Sequence, residues 1–84
     1  MKLTKKEFRV LWAVEEGMSF LENVEMFTNY KIDAIKKAFD NLSKMGLIEL
    51  TKKFDSHYRK DAWHASTTEK AKRLYDKYSK WIPK

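Results

Sequence analysis

Eighty-four residues allow one domain with a single modest core and are too few for a binding module joined to a separate effector domain. The chain has no cysteine, which removes disulfides, thiolate metal sites and cysteine nucleophiles together, and its two histidines, His57 and His64, do not make a metal site by themselves. A formal charge of +6 with 43% hydrophobic and 14% aromatic residues describes a basic, folded globule suited to phosphate backbones, acidic protein surfaces or anionic lipid.

Thr4-Lys5-Lys6-Glu7 is a capping box, in which hydroxyl and carboxylate satisfy each other's orphan amides. Phe8, Leu11, Trp12 and Val14 follow on one face, and Gly17 offers a left-handed stop, so a first helix is predicted over 5–16. Ser19-Phe20-Leu21-Glu22 repeats the capping pattern ahead of Leu21, Val24, Met26 and Phe27, predicting a short second helix over 20–28. After the polar turn at Asn29-Tyr30-Lys31, a third helix is predicted over 31–45. It carries Ile32, Ile35, Ala38, Phe39, Leu42 and Met45 inward and is closed by Gly46. Its opposite face presents Lys31, Asp33, Ala34, Lys36, Lys37, Asp40, Asn41 and Lys44.

Beyond Gly46, Ile48, Leu50, Lys52 and Phe54 alternate with Glu49, Thr51 and Lys53, the two-residue period of a strand over 47–54. A charged tip from Asp55 to Asp61 leads to a returning strand over 62–67, with no Asn-Gly or Asp-Gly to fix the turn. Trp63 is expected in the core against the first or last helix, and His64 on the strand surface. Ser66-Thr67-Thr68-Glu69 is a third capping signal. The stripe Ala71, Leu74, Tyr75, Tyr78, Trp81 and Ile82 then predicts a long last helix over 68–81, ahead of Pro83.

The charge is unevenly placed. From Met1 to Tyr30 five acidic side chains outweigh four basic ones, from Lys31 to His64 eight basic face five acidic, and from Ala65 to Lys84 six basic face two acidic. No apolar run approaches the roughly 20 residues of a membrane span, and the amino terminus lacks a signal peptide's apolar region, so a soluble, cytoplasmic protein is expected. A Gly-rich phosphate loop, His-Glu-x-x-His and Gly-x-Ser-x-Gly are all missing from the sequence, so neither catalysis, a metal nor a cofactor is expected.

Helix, charged hairpin and returning helix follow in an order that resembles the winged helix-turn-helix family, most closely its MarR and PadR types of small transcription regulators. Leu42-Ser43-Lys44-Met45-Gly46-Leu47-Ile48 is similar to that family's junction between reading helix and wing. Thr67-Thr68-Glu69-Lys70-Ala71-Lys72-Arg73-Leu74 is similar to its threonine-led helix after the wing, with Ala71 where glycine is usual. The resemblance implies an α+β, mostly helical fold: three helices, a two-stranded β-wing and a C-terminal helix.

It also implies binding of double-stranded DNA. Tyr30, Lys31, Asp33, Ala34, Lys36, Lys37, Asn41 and Lys44 would then face the major groove, with Lys37 and Asn41 reading bases. Lys52, Lys53, His57, Tyr58, Arg59 and Lys60 of the wing would meet backbone or minor groove, Arg59 foremost. Asp33 and Asp40 oppose phosphate unless each is paired. The plainer reading of both surfaces is a solvated helix face and a charged hairpin that protects its edges. Leu74, Tyr75, Tyr78, Trp81 and Ile82 either close the chain's own core or join two copies, and a homodimer is the expectation drawn from the resemblance. The alternative function is a protein-interaction module anchored by Tyr30, Tyr58 and Tyr75.

Overall fold

The computed structural model describes residues 3–56 and 59–82. The wing candidates His57 and Tyr58 lie outside these described residues. Along them run α1 (Lys5–Glu15), α2 (Leu21–Thr28), α3 (Ile32–Lys44), β1 (Ile48–Asp55), β2 (Lys60–Thr67), α4 (Glu69–Leu74) and a 3-10 turn, Ser79–Trp81. Among the described residues no helix is long and apolar enough to cross a membrane.

The α1 start follows its capping box. Thr4 Oγ1 accepts from the Glu7 amide at 3.1 Å and Glu7 Oε1 accepts from the Thr4 amide at 3.0 Å. Both α1 and α3 end on a glycine in the left-handed region, Gly17 at φ 104° and Gly46 at φ 75°. The amide after each glycine reaches back over the last turn, Met18 to the Ala13 carbonyl and Leu47 to the Leu42 carbonyl, both at 2.9 Å. That pattern satisfies the orphan carbonyls and turns the chain sharply. At Gly46 a Cβ would meet only the Lys70 side chain, at 3.8 Å or more. The glycine is therefore required by backbone conformation and not by crowding.

The α2 start does not follow its capping signal. Phe20 is the N-cap, and no side chain caps the helix. The Ser19 carbonyl accepts the Ala65 amide at 2.8 Å, which ties this segment to β2. The Glu22 carboxylate is drawn away to Lys60, at 3.4 Å. A tertiary partner outside the local window has thus taken the glutamate half of the expected box.

Phe8, Val10, Leu11, Val24, Ile35, Leu42 and Leu47 are the large side chains at the centre of the core. Strands β1 and β2 pair antiparallel from Ile48 opposite Thr67 to Asp55 opposite Lys60. Opposed residues share a face, so Ile48, Leu50 and Ala65 turn inward near the base, while Lys52, Trp63 and Phe54 carry the same face beyond the cover of α3. Trp63 is accordingly not in the core as expected; it is 49% exposed.

The last helix is shorter than its apolar stripe predicts. It starts on the Thr68 hydroxyl, which accepts from the Ala71 amide and donates to the Gly46 carbonyl at 2.7 Å, and it stops at Leu74. The rings of Tyr75, Tyr78 and Trp81 lie 6.2, 5.6 and 5.9 Å from the ring of Phe8, centroid to centroid. The chain tightens into turns and folds back over α1.

Candidate nucleic-acid interface

Helix α3 packs Ile35, Ala38, Phe39 and Leu42 into the core and leaves Lys31, Asp33, Lys36, Lys37, Asp40 and Lys44 exposed. Asp40 and Lys44 form an ion pair at 3.1 Å, both largely exposed. This pairing answers one of the two aspartates that oppose phosphate. Asp33, in the first turn, lies where a negative charge complements the helix dipole.

The two flanks of this face have different surroundings. Toward α1, the Asn41 amide donates to Glu7 Oε2 at 2.9 Å. Glu7 is 8% exposed, and its carboxylate joins the cap of α1 to the middle of α3. Burial pushes the Glu7 carboxyl up, but the Thr4 amide, the Asn41 amide and the Thr4 hydroxyl together hold it below the usual carboxylate range. Asn41, expected to read bases, is half-buried here, and its amide nitrogen donates to a carboxylate within the fold. Ala34 is half-buried beside it, and Tyr30 lies half-buried under the Lys6 ammonium, 5.2 Å from its ring centroid.

Toward the wing, α3 walls a groove of about 640 Å³. Lys36, Asp40 and Ser43 form its helical rim, and Phe39, Leu50 and Trp63 are part of its lining. The Lys52 ammonium sits 5.7 Å from the Trp63 ring centroid. Two residues further along the same face, Phe54 is 64% exposed.

On the wing itself Lys52, Lys53, Arg59 and Lys60 are all exposed, and Arg59 takes φ 52°. Lys60 is drawn back to Glu22 across the β2 edge and does not stand free at the tip. His64 is neither a ligand nor an open surface residue. Its ring meets Phe20 edge-on at 5.3 Å, and burial, then the nearby Lys53 charge, lower its pKa, which keeps it neutral at neutral pH. The sequence reading overlooked Trp63 and Ser43 as surface groups. The available signal was the strand period itself, which pairs Trp63 with Lys52, a residue unsuited to a core.

The C-terminal rings expected to join two copies are largely used within the chain. Tyr75 meets Trp12 edge-on at 5.1 Å, and Tyr78 and Trp81 lie against each other at 4.9 Å. The Tyr75 hydroxyl is buried near the Glu15 carboxylate; burial, then that charge, holds the phenol well above its ordinary pKa. Leu74, Tyr75, Tyr78, Trp81 and Ile82 nevertheless each keep part of their surface.

No family model matches the sequence, and a search of curated proteins finds no match. Solved structures do match. The regulator BpsR of Bordetella bronchiseptica, whose DNA binding is regulated by 6-hydroxynicotinic acid, superposes at a TM-score of 0.76 with 21% identity over 95% of this chain and 56% of its own. ZitR of Lactococcus lactis, a zinc-responsive MarR family member, does so as a cysteine-to-serine mutant at 0.76 and 21% over 95% of this chain and 53% of its own. The same mutant in complex with DNA superposes at 0.69 and 22%, over 94% of this chain and 52% of its own. The chain thus spans about half the length of the structures it matches. At this identity the likeness is one of fold, and the fold is the winged helix-turn-helix seen in MarR-family regulators.

Proposed function

We propose that this protein binds double-stranded DNA as a small transcription regulator of the cytoplasm, without catalysis, with α3 in the major groove and the wing against backbone or minor groove. The observation that supports this reading is that Lys31, Lys36, Lys37 and Lys44 of the third helix and its start, and Lys52, Lys53 and Arg59 of the wing, are all exposed, in a fold that superposes on ZitR bound to DNA. Lys36 and Lys37 are the foremost contacts, followed by Lys31, Lys44, Lys52, Lys53 and Arg59. Phosphate contacts of this kind release counterions, so binding weakens steeply with salt.

The test is anisotropy of a labelled duplex across a salt series. Lys36→Ala combined with Lys37→Ala should remove about two phosphate contacts and lower the logarithmic salt slope by about 2, whereas Lys5→Ala on α1 should change it little. Failure to bind any duplex at low salt ends the DNA reading, and a stoichiometric protein partner that survives nuclease would replace it with a protein-interaction module.

We also propose that two copies share one pseudo-palindromic site, with reading helices about 34 to 36 Å apart. The pairing would use the outer edges of Tyr78, Trp81 and Ile82, which the aromatic cluster leaves at the surface. Light scattering of the DNA complex checks this, with two chains per duplex expected and one chain per duplex ruling it out.

A further inference from the structure

We infer that the groove between α3 and the wing seats one strand of the duplex, with the Trp63 indole packed on a deoxyribose and Lys36 and Lys52 on the phosphates to either side. The inference rests on the duplex-binding reading and adds to it a contact that carries no charge.

The occupant is argued from the composition of the groove. Leu21, Leu50, Phe39 and the half-exposed Trp63 make an apolar lining, Lys36 stands at its edge, and the Lys52 ammonium lies 5.7 Å from the indole centroid, outside the lining itself. A nucleic-acid strand alternates in the same way, with sugar faces that are largely apolar between phosphates that are fully charged. Lys36 forms no ion pair with another described residue, and Asp40, the acidic group on this rim, is already turned to Lys44 at 3.1 Å. The Ser43 hydroxyl on the same rim can donate to a phosphate oxygen. A duplex that takes α3 in one groove and the wing in the next must pass the intervening strand between them. Here the groove occupies that interval. A purely ionic cradle would not call for an exposed indole there, because an exposed tryptophan forgoes much of the stabilisation its burial would give.

The sequence holds three tryptophans, Trp12, Trp63 and Trp81. Protein labelled with 5-fluorotryptophan therefore gives a small set of fluorine resonances, with Trp63 assigned by its loss in Trp63→Leu. Titration with a duplex of mixed sequence should move the Trp63 signal and leave the Trp12 signal, which lies against Tyr75 within the chain, in place. By anisotropy, Trp63→Leu should weaken binding by about tenfold, the scale of one lost apolar contact, with an unchanged salt slope. Lys36→Gln should reduce that slope by about 1. If the duplex binds while the Trp63 resonance stays still and Trp63→Leu keeps wild-type affinity, the seat is overturned and the duplex reading stands. If no duplex raises the anisotropy at low salt, both fall together. If Trp63→Leu is poorly folded, the losses in Trp12→Phe and Trp81→Phe assign the Trp63 resonance by elimination, and the titration of the unsubstituted sequence still decides.

Discussion

The two flanks of α3 start from similar residue types and end in opposite conditions. On the α1 side, hydrogen bonds at 2.9 to 3.1 Å tie Asn41 and the buried Glu7 carboxylate together, beside a smaller hollow of about 230 Å³ that Lys37 also lines. On the wing side, Lys36, Ser43 and Trp63 border an open groove with an apolar floor. Among the polar groups of the third helix, Asn41 is thus bonded to α1, while Lys36 and Ser43 border the wing-side groove.

The largest effect should come from breaking the closed flank. Glu7→Ala removes the reciprocal half of the α1 cap and leaves the Asn41 amide without its carboxylate partner. Loss of a partner at a buried polar site costs about 1 to 3 kcal/mol, and in a domain of this size each kcal/mol moves the melting temperature by about 4 to 8 °C. Thermal unfolding by circular dichroism should show that drop, while the duplex affinity of the folded fraction stays near wild type. A large affinity loss with no loss of stability would reverse the assignment and make this flank part of the interface.

A smaller effect, from the same carboxylate, should appear with acid. Because hydrogen bonding holds the folded Glu7 carboxyl below its ordinary value of 4.5, the unfolded chain takes up this proton first as pH falls. The stability Glu7 contributes is therefore complete above about pH 4.5 and is lost as pH drops through the lower, folded value. Melting temperatures measured between neutral pH and pH 3 should fall over this window. Glu7→Gln, which does not titrate, should flatten that part of the profile. An unchanged profile in Glu7→Gln would place the acid sensitivity on other carboxylates.

The same contrast explains what could be read from the sequence. The α1 cap, the glycine stops and the inward stripe of α3 depend on residues three to five apart, and the structure has each of them. The reading failed where a distant partner competed. Ser19 and Glu22 look like a cap, but Lys60 pairs with the Glu22 carboxylate, and Asn41 looks like a free polar group of the helix face, but its amide donates to Glu7. The stripe from Leu74 to Ile82 has helical spacing, yet Phe8 draws three of its rings to one point. Trp63 carries the opposite error: its hydrophobicity suggested a core position, while its place along β2, opposite Lys52, leaves it half-exposed at the edge of the groove beside α3. In each case the residue type was informative and the deciding neighbour lay more than a helical turn away.

The smallest expected effect probes the open flank through charge. Asp40 and Lys44 are spaced i to i+4 and highly exposed, so their pair contributes at most about 0.3 to 0.5 kcal/mol, and Asp40→Asn should leave the melting temperature nearly unchanged. The same substitution removes the acidic group from the groove rim and releases the Lys44 ammonium toward solvent. Duplex affinity at low salt should rise by a few-fold, and the gain should shrink as salt screens it, since exposed charges interact over about 10 Å at 0.1 M. Glu7→Gln also removes one negative charge, but from the closed flank, where the carboxylate is already engaged by hydrogen bonds. Equal gains from the two variants would mean that duplex binding senses only net charge. A gain confined to Asp40→Asn would mean that the strand passes over the wing-side flank of α3.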